Sequence, residues 1–348
     1  MKKKNISGGA MQSYYYDPND PKLMEEATLF RLRKKISRLS FSFIVYTLTA
    51  YVAIFILQLI VSLLGLSEIL EKSVYWQFAM AVLPLYVFGL PAICLFLKSM
   101  KATPIKKSRM NIGDFLLLFL IGRFFTLVGS YTSSFLISVT ERLFRMQIND
   151  TTTELLERIP TWLILIAAVL IGPIVEEFIY RKLIIDRLHP HGEMFAILFS
   201  SAVFALAHGN LYQVVYAFLN GCILGLIYIR TGRLLYSCIF HIATNFLGSI
   251  VVLPIIEAQE ALQALEQGGV FNSEYLSLTL LIGGYGFAKF FLAILGAAVL
   301  CLRYRHFLPR RYGLDPIPHG KTTSLLLKSP GFIAFLAFSA LEFILSLF

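Results

Sequence analysis

The sequence predicts an all-α, polytopic membrane protein with eight transmembrane helices and a candidate ninth at its C-terminal end. Three observations carry that reading. Of the 348 residues, 57% are hydrophobic and 15% charged, and the mean hydropathy is +0.71, far from the composition of a soluble domain. The apolar stretches are long and lack the period-2 alternation of barrel strands. The loops between them alternate between basic and acidic or uncharged.

Eight stretches reach the ~20 residues that a bilayer core requires: 41–65, 76–97, 115–138, 160–185, 193–209, 212–229, 234–256 and 276–302. The tail 331–348, GFIAFLAFSALEFILSLF, is the ninth candidate; it is short and carries Glu342. Residues 1–40 read as a polar, basic tail and 41–348 as one membrane domain. The first forty residues are polar and the first apolar run exceeds a signal-peptide core, so the first span is expected to serve as the insertion signal.

A net charge of +10 would suit a nucleic-acid partner if the charge formed one patch, but its placement follows the loops. The N-terminal arm from Lys2 to Arg38, the segment Lys98 to Arg109, the region Arg181 to Arg187, the pair Arg230 and Arg233, and RYRHFLPRRYG after Leu302 are basic. The stretch 257–275, EAQEALQALEQGGVFNSEY, has no Lys or Arg. This positive-inside pattern predicts a multi-pass integral membrane protein with a cytoplasmic N-terminus, with lipid and not nucleic acid as the partner of its basic charge. Cys94, Cys222, Cys238 and Cys301 fall in apolar runs without CxxC spacing, so buried structural thiols are expected rather than a disulfide framework or zinc ribbon.

The chemistry-bearing residues lie within the spans. VEEFIYRK at 175–182 extends the apolar run TWLILIAAVLIGPIV, where each ionisable group costs roughly 2.5–3.5 kcal/mol on insertion scales. Successive helical residues lie about 100° apart, so Glu177 and Arg181 share a face and Glu176 points elsewhere. The economical arrangement pairs Glu177 with Arg181 and leaves Glu176 facing a cavity, which a kink at Gly172-Pro173 would help to open. The bland alternative is an interfacial helix end with Arg181 and Lys182 snorkelling to headgroups.

FALAHGN places Phe204 and His208 on one face of the next span, and YSCIFHIATNF places His241 and Asn245 on one face of another, with Ser237 and Ser249 extending the stripe. Alone, either stripe would more readily be interhelical hydrogen-bonding glue. At 1.5 Å per residue, Glu176 lies about 21 Å and His208 about 27 Å from the turn at Pro190, so the hairpin brings these two to nearby levels; His241, about 14 Å from the turn at Gly232, comes within reach of them if the turn at 186–192 projects into the cytoplasm. Gly221-xxx-Gly225 reads as a small-residue packing motif. Arg123, Lys289 and Glu342 have no partner that spacing identifies, and pairing with one another across helices is the available expectation.

A carboxylate, two histidines and an asparagine converging in a membrane cavity suit hydrolysis. Glu176 can take a proton from water held between it and His208, and His241 and Asn245 can donate to a carbonyl oxygen. No GxSxG or HExxH motif is present, so direct attack by water is preferred over an acyl-enzyme. No cofactor is expected; the alternative is a zinc ion held by Glu176, His208 and His241 with a fourth position for water.

EExxxR at Glu176-Glu177-Arg181, FxxxH at Phe204-His208, the stretch NGCILGLIYIRTGRL and HxxxN at His241-Asn245 closely resemble the CPBP family of intramembrane proteases, over about 160–250. That family includes the CAAX prenyl endoproteases and bacteriocin-processing and immunity proteins. The resemblance implies water activation by Glu176 with His208, an oxyanion site of His241 with Asn245, support from Glu177 and Arg181, and metal-independent hydrolysis. Lys182 departs from the pattern, in which many members have glycine. The leading expectation is an intramembrane endopeptidase open toward the cytoplasm, acting on a peptide or membrane-protein substrate. The alternatives are a non-catalytic peptide-binding or bacteriocin-immunity protein, and a proton-coupled transporter, which would need broken helices in symmetric halves.

Overall fold

The computed structural model describes residues 21–148, 158–309 and 313–347, so most of the loop at 145–160 and the arm 1–20 lie outside it. The described residues are helical, and strands are absent among them. Seven helices are long and apolar enough to cross a membrane: α1 Pro21–Leu63, α2 Val74–Leu97, α3 Ile112–Phe144, α4 Thr161–His191, α6 Leu211–Thr231, α7 Leu234–Gln267 and α8 Ser273–Phe307. Two more apolar helices are shorter, α5 Glu193–Leu206 and α9 Pro330–Leu345. At 14 residues, α5 is about 21 Å long, so it dips into the bundle and α6 carries the chain back.

Polar side chains set several of these boundaries. Asn111, Asn210 and Asn272 each accept a hydrogen bond from a backbone N–H in the first turn of α3, α6 and α8, satisfying donors that a helix N-terminus leaves open. At the other end of α6, Gly232 has φ of 60°, and a Cβ there would meet the Ile105 and Lys106 carbonyls at 2.7 and 2.8 Å. Only glycine meets both demands without strain.

The first helix begins at Pro21, not near residue 41. Residues expected as tail are helical because Leu29, Leu32, Ile36 and Leu39, spaced three and four apart, bury one face against the bundle. In the middle of the molecule α3 packs on α6 and α8, α5 on α6, and α1 on α9. Small residues permit the approach: Gly221 lies against Ser201 and Gly225 against Ile197, which seats α6 on α5.

The basic segments gather at one end of the bundle. Thr103 and Ser108 donate their backbone N–H groups to the carbonyls of Asp186 and Thr231, and Asp315 donates its own to Pro190. Lys35 donates to the Arg187 carbonyl at 3.0 Å, and Arg38 to that of Phe96 at 2.6 Å. The loop after α1, with Glu68 and Glu71, and the acidic stretch from Glu257 to Glu266 belong to the opposite end. All four cysteines are free; Cys238 is buried, but Cys301 is exposed on the protein's outer face, where the bilayer rather than the core would cover it.

Candidate active site

Helix α4 places the two glutamates, and its irregular winding determines how. It is π-helical over Ile164–Ile171 and again over Phe178–Ile185, with the α-helical turn Gly172–Glu177 between. The Gly172 N–H bonds the Ala167 carbonyl five residues back. The next donor in that register would be residue 173, but proline has no N–H. The orphaned Ala168 carbonyl is taken instead by the Asn245 side-chain amide at 3.0 Å. Pro173 thus fixes the position of Asn245, a link between α4 and α7 that spacing along either helix could not reveal.

Glu177 is fully buried, and its Oε2 accepts from Arg181 Nε at 3.0 Å with both side chains excluded from solvent. Arg181 also donates to Ser200 Oγ at 2.8 Å and lies over the Phe204 ring, 5.2 Å from its centroid. The other oxygen of Glu177 receives His241 Nδ1 at 3.1 Å. His241 Nε2 then faces Glu176 Oε2 at 3.6 Å. Glu176 is 30% exposed where Glu177 is 0%. One imidazole therefore bridges two adjacent carboxylates, one sealed in the core and one open to a cavity.

His208 lies at the end of α5, with Nδ1 2.8 Å from the Phe204 carbonyl. A carbonyl only accepts, so Nδ1 carries the proton, and a neutral ring leaves Nε2 free to accept. The Phe204 ring stands edge-on to both histidines, at 4.8 and 5.7 Å between centroids, and spaces them. Lys182 pairs with Asp186 at 2.6 Å, and Asp186 also accepts from Tyr228 Oη at 2.9 Å, so Lys182 forms a second i,i+4 ion pair directly after that of Glu177 and Arg181.

Glu176, His208, His241 and Asn245 all line one cavity of about 1050 Å³. Its wall continues through Ser133, Ser134, Tyr212, Gln213, Leu247 and Val252, toward the end opposite the basic segments. Toward the basic ends of α4 and α6, Ile184, Ile185, Leu188, Ile227 and Tyr228 are fully buried. Arg123 and Lys289 also line the cavity. They are not paired with Glu342, contrary to the pairing suggested by their isolation: Arg123 donates to Thr244 Oγ1 at 2.8 Å, and Glu342 accepts from Tyr51 Oη at 2.8 Å. Arg123 and Glu342 each find a hydroxyl on a neighbouring helix, a partner that charge counting misses.

Residues 158–247, about a quarter of the chain, match the family model described as type II CAAX prenyl endopeptidase Rce1-like. That segment contains Glu176, Glu177, Arg181, His208, His241 and Asn245. Among individual proteins, the chain is similar to the membrane-embedded CAAX protease MroQ of Staphylococcus aureus (strain USA300), 29% identical over 153 residues, 41% of this chain and 60% of the relative. It is also similar to YdiL of Bacillus subtilis (strain 168), a protein named as a membrane peptidase, 30% identical over 123 residues, 34% of this chain and 50% of the relative. The matches thus span about half to three fifths of these relatives. No solved structure gives a significant match to the chain.

Proposed function

We propose that the protein is an intramembrane endopeptidase that hydrolyses a peptide bond with water activated by Glu176 and His208. The observation that carries this reading is His241 held between Glu177 at 3.1 Å and Glu176 at 3.6 Å, on the wall of the cavity that His208 also lines. A structural ion pair would need Glu177 and Arg181 alone; among the described residues Glu176, half-buried beside them, has no ion-pair partner other than that shared imidazole.

Water held between Glu176 and His208 attacks the carbonyl carbon while its proton passes to the Glu176 carboxylate. The carbonyl's π electrons move to oxygen. Asn245 has one N–H on Ala168 and a second to offer that oxyanion; with both ring nitrogens protonated, His241 offers Nε2–H beside it. Collapse breaks the C–N bond, and the leaving nitrogen takes the proton from Glu176. Glu177 and Arg181 hold His241 in register.

Metal independence belongs to the same proposal. It is supported by the spacing of the described residues, among which no group of three His, Cys, Asp or Glu side chains is placed to hold a metal ion. Purified protein is expected to keep its activity in chelator and to contain no stoichiometric zinc by elemental analysis; activity lost to chelator and restored by zinc would reverse this.

For orientation we take the basic end as cytoplasmic, which gives a cytoplasmic N-terminus and a cavity reached from the far side of the membrane. Replacement of Glu176 by glutamine tests the catalytic reading: peptide processing in reconstituted protein should stop while the fold persists, undiminished processing would remove Glu176 as the base, and absence of processing by wild type would leave a peptide-binding or immunity role for the same cavity.

A further inference from the structure

One group of cations takes no part in the proposed mechanism. Arg33, Lys34 and Arg38 of α1 and Lys328 just before α9 line a groove of about 620 Å³ at the basic end of the bundle. Phe30, Phe41 and Phe96 complete its walls. On α1 the lining residues follow at spacings of three and four, so they share one face of the helix. Gly331 brings α9 against that face: a Cβ there would collide with the Ser37 carbonyl.

The groove carries positive charge that nothing in it balances. No acidic side chain lines it, and none of its four cations forms an ion pair among the described residues. Glu25 and Glu26, the acidic residues nearest along α1, precede Arg33 by about 10 Å or more, and Glu25 pairs with Lys321 at 3.3 Å. Arg33 Nε and Ser37 Oγ are buried without a hydrogen-bond partner. Arg38 is held by neutral groups: Nη2 donates to the Phe96 carbonyl and to Ser99 Oγ, both at 2.6 Å, and the guanidinium lies 5.5 Å from the centre of the Phe96 ring. Lys34 Nζ lies 4.4 Å from the centre of the Phe30 ring. Carbonyl, hydroxyl and rings thus fix these cations in place and leave their charge free for an anion.

The depth of the groove identifies the kind of anion. Arg38 is followed at once by the apolar run from Leu39, which sets the cations at the level of phospholipid headgroups. Deeper in the bilayer the same face of α1 continues through Phe41, Leu48 and Val52, which are 43, 46 and 57% exposed. A soluble anion would use the cations alone; a lipid uses the cations and the apolar track beside them. Four cations without a carboxylate also repel the ammonium of a zwitterionic headgroup, which selects lipids of net negative charge.

We propose that this groove binds one anionic phospholipid, its phosphate held by Arg33, Lys34, Arg38 and Lys328 and an acyl chain lying along Phe41, Leu48 and Val52. The bound lipid bridges the first and last helices of the bundle. The site is independent of the endopeptidase reading.

The experiment uses the full-length protein in detergent and native mass spectrometry, which counts bound lipids directly. Phosphatidylglycerol and phosphatidylcholine with identical acyl chains are titrated in turn, and inorganic phosphate serves as the soluble anion. Wild type is expected to hold one phosphatidylglycerol about 10-fold or more above phosphatidylcholine, and to bind phosphate far more weakly. The double variant Arg33→Gln with Lys328→Gln should weaken phosphatidylglycerol about 25-fold, roughly 5-fold per cation. Lys106→Gln with Lys107→Gln, which removes the same charge from the same end but outside the groove, should leave it unchanged. Equal loss in both pairs, or equal affinity for the two lipids, overturns the site and leaves a diffuse attraction to the basic end. Phosphate bound as tightly as phosphatidylglycerol overturns the lipid assignment. Wild type alone decides if the double variant does not fold: a photoactivatable phosphatidylglycerol should label peptides containing 30–41 and 328–331, and label spread over the other basic segments contradicts the proposal.

Discussion

At the scale of single residues, adjacent glutamates divide by direction and environment. Glu177 is sealed against Arg181 at 3.0 Å, and removing its charge would leave a buried guanidinium unpaired, a loss of about 3–5 kcal/mol. Glu177→Gln should therefore lower the thermal midpoint and the yield before it says anything about catalysis; a fully folded but inactive Glu177→Gln protein would assign Glu177 a direct chemical role. Helical spacing alone made the Glu177–Arg181 pair legible, because residues four apart share a face. It could not show that His241 spans both carboxylates or that Asn245 leans on Ala168. Those contacts depend on how α7 lies against α4, which no local pattern encodes.

At the scale of elements, α4 and the α5–α6 hairpin position the chemistry. The apolar runs announced their existence, and Gly172-Pro173 announced an irregularity, but not that α4 would wind as two π-helical stretches around it. The length of α5 was overestimated because an apolar run continues through Ala207, while the helix ends at Leu206 ahead of Gly209 with φ of 64°. The Gly221-xxx-Gly225 motif does seat α6 on α5, with a Cβ on Gly221 meeting Ser201 at 3.0 Å. Gly221→Leu should destabilise the hairpin by about 1–3 kcal/mol, measurable as a lower unfolding midpoint in detergent, and should impair processing in proportion as His208 shifts. A wild-type midpoint would mean that the two helices are held elsewhere.

At the scale of the whole molecule, the alternation of loop charge was readable, and the described loops do collect by charge at the two ends. The side on which the cavity runs was not readable, because lining residues such as Ser133, Gln213 and Val252 are individually unremarkable. In a Cys301→Ser background, Glu68→Cys should react with a membrane-impermeant maleimide in intact cells, and Lys107→Cys only after permeabilisation. The reverse labelling would place the cavity's far end in the cytoplasm. The central claim is that Glu176 activates water for peptide hydrolysis, and it is tested most directly by comparing wild type with Glu176→Gln, both reconstituted and shown to be folded, on a peptide that wild type cuts. The account predicts a fall in kcat of about 10²- to 10⁴-fold, the usual contribution of a general base, with peptide binding retained. Cleavage by Glu176→Gln at the wild-type rate would contradict it.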